Sequence, residues 1–268
     1  MLPTFVVIGA MKCGTTSLYR YLQQHPEICM SRTKEPNFFV EEKNYHKGMA
    51  WYQSLFQGSA KEYGECSTNY TKRHEFEGVA ARMKAVLPDV KLIYLLRDPV
   101  ERVISHYVHS YAKGTEHRAL SDVLCHFDNN KYVLTSRYYM QLQPYLSHYS
   151  TDQILVISTE ALKLNRLAVL QEVFRFVGVD PTFECQTFSQ KFNQSSAKKR
   201  KSLLDRIISN KGLKNLIRPI LPSYVTEAHS FTRPELDHVT KERLIEYLST
   251  DVEQLRRVTG KQFDRWCL

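Results

Sequence analysis

Near the start of the chain, Gly9-Ala10-Met11-Lys12-Cys13-Gly14-Thr15-Thr16 gathers the residues best suited to hold an anion. Two glycines followed by hydroxyl residues make a strand-to-helix turn whose N–H groups and helix N-terminus cradle a phosphate. A nucleoside triphosphatase carries lysine directly after the second glycine, reaching the β- and γ-phosphates, then a hydroxyl residue on Mg²⁺. Here Thr15 stands in the lysine position, and Lys12 lies two residues before Gly14. A triphosphate's terminal charge and its metal are poorly served by that order. A ligand with a single 5′-phosphate and a weakly charged transferable group fits better. Arg97 offers a second grip, at the end of an apolar run and just before Asp98-Pro99-Val100-Glu101. A guanidinium leaving the carboxyl end of a buried strand can hold a phosphate through two N–H groups. Alone, Arg-Asp-Pro is a common helix start; paired with the Lys12 turn it becomes a strong signal.

The elements that must position these groups follow from hydrophobic pattern. Residues 4–9 and 90–96 are continuous apolar runs, the pattern of buried parallel strands, and 153–158 reads as a third. A helix opens at Thr16 and stops before Pro26, with His25 read as structural. Asp98, Pro99 and Glu101 start another as N-cap, first-turn proline and N3 acid. Residues 138–149, 165–177 and 234–260 also read as helices. Alternating strands and helices imply an α/β fold with a central parallel sheet and right-handed crossovers. Without an internal repeat or low-complexity linker, residues 1–268 are expected to form one domain. At 268 residues such a chain buries roughly three quarters of its unfolded surface and needs no disulfide or metal staple.

Composition narrows the class. Hydrophobic residues make up 43% and charged ones 24%, which excludes a disordered or collagen-like chain. The six cysteines form no C-x-x-C pair, so free thiols in a reducing compartment are expected. No apolar run reaches the length of a membrane span. The net charge of +9 points to an anionic ligand, partner or surface. Residues 198–218 hold eight basic residues against the single acid Asp205, which is +7 of that charge. Their apolar residues fall at helical spacing, so one or two basic amphipathic helices are expected there.

Lys12-Cys13-Gly14-Thr15-Thr16-Ser17-Leu18 resembles the 5′-phosphosulfate loop of sulfotransferases that use 3′-phosphoadenosine 5′-phosphosulfate (PAPS). The likeness is nearest to the heparan sulfate sulfotransferase-like group and its bacterial cousins. Leu95-Leu96-Arg97-Asp98-Pro99-Val100-Glu101-Arg102-Val103-Ile104-Ser105 resembles their 3′-phosphate motif, and the pair at this separation is highly specific. The similarity continues through Lys34-Glu35-Pro36-Asn37-Phe38-Phe39, Gly48-Met49-Ala50-Trp51-Tyr52, Gly64-Glu65, Phe192-Asn193 and Arg233-Pro234-Glu235.

The resemblance implies a P-loop-like three-layer fold and sulfuryl transfer, with PAPS leaving as adenosine 3′,5′-bisphosphate. In that reading Lys12 stabilises the departing bridging oxygen. Cys13, Gly14, Thr15, Thr16 and Ser17 hold the 5′-phosphate; Arg97 and Ser105 hold the 3′-phosphate; Phe192 and Asn193 complete the nucleotide site. No metal is required, because a sulfuryl group carries less charge than a phosphoryl group. Glu35 takes the role of general base, with Glu65 as runner-up or as a residue orienting Lys12. Pro36 is expected to press Glu35 into extended backbone. On the residues alone, Glu35 reads as a loop carboxylate paired with Lys34.

Asn37, Phe38 and Cys66 are candidate acceptor contacts. Asn37 and Cys66 stand where the heparan sulfate enzymes usually carry histidine and lysine, so the acceptor does not transfer from the resemblance. Lys198, Lys199 and Arg200 are candidate acceptor contacts on the basic segment. That segment is expected to be a packed helix pair, an acceptor-cleft wall, or a docking face for an anionic membrane or acidic carrier protein. The expected acceptor is a hydroxyl, less favourably an amine, of a glycan or glycolipid precursor or specialised metabolite. With no leader, anchor or disulfide legible, the expected location is the cytoplasm. Two other classes compete. A P-loop kinase would need the lysine after Gly14, and a nucleic-acid-binding module would spread its charge along one long face.

Overall fold

The computed structural model describes residues 1–190, 199–200 and 229–268. Five parallel strands form its centre: β1 Phe5–Gly9, β2 Ile28–Met30, β3 Glu62–Cys66, β4 Lys91–Leu96 and β5 Ile154–Ser158. Their order across the sheet is β2-β3-β1-β4-β5. β1 is buried along its whole length and pairs with β3 on one side and β4 on the other. Helices flank the sheet, among them α1 Thr15–Leu22, α2 Gly48–Gln53, α3 Val79–Val86 and α4 Pro99–Lys113. α5 Leu120–Val123, α6 Lys131–Leu134, α7 Tyr138–Leu146, α8 Thr159–Leu164 and α9 Arg166–Val177 follow. A C-terminal helix, His238–Thr259, sends Leu244, Leu248, Val252 and Leu255 into the interior.

Because every strand runs the same way, every carboxyl end opens on one edge, where open α/β sheets bind ligands. The chain leaves β1 into the Lys12 turn, β2 toward Glu35, β3 at Glu65-Cys66, β4 at Arg97 and β5 at Thr159. One topology thus delivers all of these segments to one edge.

The long apolar runs become strands within a residue or two of their expected bounds. α4 starts as its sequence dictates, with Asp98 Oδ1 accepting the Glu101 N–H at 2.9 Å and Pro99 in the first turn. His25 is a structural histidine. It is buried between Phe174 and Phe183, its Nδ1 accepts the Glu27 N–H, and its Nε2 donates to the Asp180 carbonyl. The six cysteines are free.

Two strands went unforeseen, and two expectations are corrected. β2 and β3 carry no apolar run long enough to announce them; Glu-Tyr-Gly-Glu-Cys becomes a strand because its neighbours bury it. The C-terminal helix begins at His238 rather than Pro234, since Asp237 caps it through the Thr240 N–H. Lys199 and Arg200, expected to open a basic helix, instead form a short strand β6 (Lys199–Arg200) antiparallel to β7 (His229–Ser230). The remainder of the expected basic helix pair lies outside the described residues. No helix among the described residues is long and apolar enough to cross a membrane.

Candidate active site

The turn after β1 is built around close backbone packing. A Cβ on Gly9 would collide with the Thr71 hydroxyl and the Tyr94 ring, so glycine is required there. Lys12 has φ +74° and Gly14 φ +93°, so the chain reverses sharply before α1. With glycine as the residue preceding it, α1 has no side-chain cap. The N–H groups of Thr15 and Thr16 open the helix, and such first-turn donors have no carbonyl partner within it. Thr15 is buried, while Lys12, Thr16 and Ser17 are half-buried. Cys13 is fully buried under the turn, its thiol 3.6 Å from the Tyr138 hydroxyl, and burial pushes its pKa up to about 11. Any contact of Cys13 with a ligand therefore comes from its backbone.

Arg97 follows β4, the immediate neighbour of β1, and buried groups lock the two turns together. The Ala10 N–H donates to Leu95 O at 2.7 Å. The Thr159 hydroxyl shares its proton between Cys13 O and Leu96 O. The Tyr138 hydroxyl donates to Arg97 O at 2.8 Å while lying against the Cys13 thiol. The Arg97 guanidinium meets Glu101 Oε2 at 2.6 Å, and Arg233 meets the same oxygen at 2.8 Å. Burial pushes the Glu101 pKa up, but Arg233 and Arg97 together outweigh it and hold the carboxyl below its ordinary value. Ser105 is buried two turns into α4.

Glu35 is held against the end of β3. Its N–H donates to Cys66 O at 2.9 Å, and its Oε1 accepts from Lys34 Nζ at 2.8 Å and Thr68 Oγ1 at 3.2 Å. The Lys34 pair read from the residues is therefore present, alongside a second donor from the turn after β3. The extended backbone expected at Glu35 is not found: φ is +62° there and +49° at Asn37. Pro36 disfavours the right-handed helical region at Glu35. The bonds from Glu35 N–H to Cys66 O, Asn37 N–H to Ser67 Oγ and Asn37 Nδ2 to Glu35 O select the left-handed alternative.

Glu65 stands behind this loop rather than in the open. It is fully buried, and its Oε2 accepts the Tyr52 hydroxyl at 2.7 Å. Burial pushes its pKa up to about 7, against the hydroxyls of Tyr52, Tyr70 and Ser67. Phe38 is buried and stacks on Tyr52 at 4.2 Å between ring centres. Cys66 is buried with its thiol toward Thr15 O at 3.9 Å, and burial raises its pKa to about 12. Asn37 is half-buried beside Glu35.

Phe192, Asn193 and Lys198 lie outside the described residues, as does the side chain of Lys199. Arg200 is docked on α4. It covers the Tyr111 ring at 4.2 Å, donates to the Tyr111 hydroxyl and reaches His117 Nδ1. Sequence reasoning missed Thr159, Tyr138 and Thr68 as positioning groups and gave Arg233 no role. A hydroxyl directly after the third strand run was the available signal for Thr159. Among the described residues no cluster of three or more His, Cys, Asp or Glu could hold a metal ion.

A family model described as a sulfotransferase domain matches residues 2–221. The chain is 28% identical over 249 residues to the bifunctional heparan sulfate N-deacetylase/N-sulfotransferase of Drosophila melanogaster, covering 74% of this chain and 23% of that protein. It is 32% identical over 186 residues to heparan sulfate glucosamine 3-O-sulfotransferase 3B1 of Mus musculus, covering 66% and 46%. It thus spans less than half the length of either relative. Among solved structures, a sulfotransferase from Alicyclobacillus acidocaldarius has a TM-score of 0.74 at 24% identity and covers 99% of both chains. A mouse sulfotransferase complexed with PAP has a TM-score of 0.56 at 16% identity, covering 95% of this chain and 84% of that one. Both structural likenesses are likenesses of fold.

Proposed function

The chain belongs to the sulfotransferase domain family, and from that premise we propose that it transfers the sulfuryl group of PAPS to a hydroxyl acceptor. The observation that carries this reading is the coupling of two anion grips. The Lys12 turn and Arg97 leave adjacent strands and are tied by Thr159 and Tyr138. A nucleotide with phosphate at both its 5′ and 3′ positions suits two such grips, one at each end. The first-turn N–H groups and the Thr16 and Ser17 hydroxyls serve the 5′-phosphate. Arg97 and Ser105 serve the 3′-phosphate, with Phe192 and Asn193 assigned to the same nucleotide by resemblance.

In the reaction, the acceptor oxygen forms a bond to sulfur as the bond from sulfur to the bridging 5′-phosphate oxygen breaks. That oxygen keeps the electron pair, and Lys12 stabilises its charge. Glu35 takes the acceptor proton. Its carboxylate is held in place by two donors, Lys34 Nζ and Thr68 Oγ1. Glu65, buried behind the loop, supports Glu35 rather than replacing it. Asn37 borders the acceptor, whereas Phe38, buried against Tyr52, backs that loop rather than touching the acceptor. Cys66 supports the turn from beneath, and the basic segment that includes Lys198 and Lys199 is assigned to acceptor recognition by its charge alone. Neutralising residues 198–201 should raise acceptor KM; an unchanged KM would remove the segment from that role.

Calorimetry tests the donor assignment. Adenosine 3′,5′-bisphosphate should bind and ATP should bind far more weakly; the reverse order would favour a kinase. Radiolabelled PAPS with panels of hydroxyl and amine acceptors then identifies the group sulfated.

A further inference from the structure

One residue beyond Glu101, α4 carries a guanidinium that this chemistry leaves unused. Arg102 is fully buried. It donates through Nε to Ser136 Oγ, through Nη2 to the Tyr132 carbonyl, and through Nη1 to His106 Nδ1 at 3.3 Å. All three acceptors are neutral. An Nδ1 that accepts belongs to an uncharged imidazole, and burial, aided by the neighbouring Arg102 charge, holds His106 well below its usual pKa. Among the described residues no carboxylate lies within ion-pair reach of Arg102. The ionisable groups nearest in effect are Tyr138, Cys13 and Tyr94, which burial keeps protonated, and the Arg97 cation.

A buried cation with neutral partners is strongly unfavourable, and an apolar side chain of similar volume would be tolerated better. Its place in the early turns of α4 adds to the penalty, since the N-terminal end of a helix is itself positive. Location supplies the compensation. Ser136, which accepts from Arg102, donates to Pro99 O at the start of α4. Tyr138, two residues further, touches both grips through Arg97 O and the Cys13 thiol. The guanidinium therefore sits behind the segment that joins the two anion sites.

We propose that Arg102 is a concealed third cation of the nucleotide pocket, whose charge is balanced by the phosphates of the bound bisphosphate. This rests on the bisphosphate reading of the site. Unlike Lys12 and Arg97, it acts through the field alone and never touches the ligand.

The test is calorimetry of adenosine 3′,5′-bisphosphate with wild type, R102M, R102K and S136A, at low and high salt, with thermal unfolding in parallel. R102M should bind roughly tenfold or more weakly. That loss should persist in high salt, because a buried charge is screened far less than an exposed one. R102K should keep most of the affinity, and S136A should lose stability while binding as wild type does. A folded R102M with wild-type affinity overturns the proposal. So does an R102K as weak as R102M, or an S136A that loses affinity to the same degree, since either makes the arginine a structural strut. Should R102M fail to fold, R102K and S136A decide the matter. A wild type that ignores the bisphosphate overturns the functional reading and this proposal together, whereas unaffected variants on a binding wild type overturn the role of Arg102 alone.

Discussion

Two glutamates near the same loop receive opposite treatment. Glu35 is half-buried and held by Lys34 and Thr68, whereas Glu65 is sealed among Tyr52, Tyr70 and Ser67. If Glu35 is the base, E35Q should lower kcat by about 10²–10⁴ while leaving bisphosphate affinity nearly unchanged. Steady-state kinetics beside calorimetry measure both, and near-normal turnover would move the role elsewhere. For Glu65, burial raises the pKa from 4.5 to about 7. Between those values the native state keeps the proton that the unfolded chain releases. Stability from this group is thus full below pH 4.5 and is lost as pH rises through about 7. The whole effect is about 3 kcal/mol. E65Q cannot ionise, so its Tm should match wild type at the acid end of this window and exceed it increasingly toward the alkaline end. Asp251, raised by burial to about 6, is common to both proteins and cancels in the difference. A gap that does not change with pH would remove the buried proton.

At the scale of elements, the site depends on how β1, β4 and β5 hand their loops to one another. The Thr159 side chain leaves the end of β5 and bonds carbonyls from the other two loops. T159V keeps the shape and removes the donor, so two carbonyls lose their partner at a cost of about 1–3 kcal/mol. Bisphosphate affinity should fall with the stability, because the grips lose a shared tether; thermal unfolding and calorimetry read the two losses. An affinity unchanged despite lower stability would mean that Tyr138 and the sheet suffice. The long apolar strands and the capped start of α4 were legible because each is specified locally, by a buried run or by Asp98 and Pro99. β2 and β3 were not, since β2 is a three-residue edge strand and β3, an inner strand, is partly polar. Their extended form comes from pairing with β1 and with each other.

For the molecule as a whole, a nucleotide bound across two loops from adjacent strands should stabilise the entire sheet. Saturating adenosine 3′,5′-bisphosphate at a hundred times its Kd is expected to add about 2.7 kcal/mol to the unfolding free energy. ATP at the same concentration should add far less. Equal shifts with both nucleotides would remove the distinction between a 3′-phosphate grip and a general phosphate cradle.

The residues themselves determined the glycine turn, its displaced lysine, the arginine at the end of a buried run, and the strands that carry them. These are written in local spacing and hydrophobic pattern, which fold the same way wherever a core is available. Only the tertiary structure decided that Glu35 adopts a left-handed backbone, that Glu65 is sealed away, and that Thr159, Tyr138 and Arg102 stand behind the grips. Each of those facts depends on groups distant in the chain. Burial and charge balance exist only after the strands have brought those groups together.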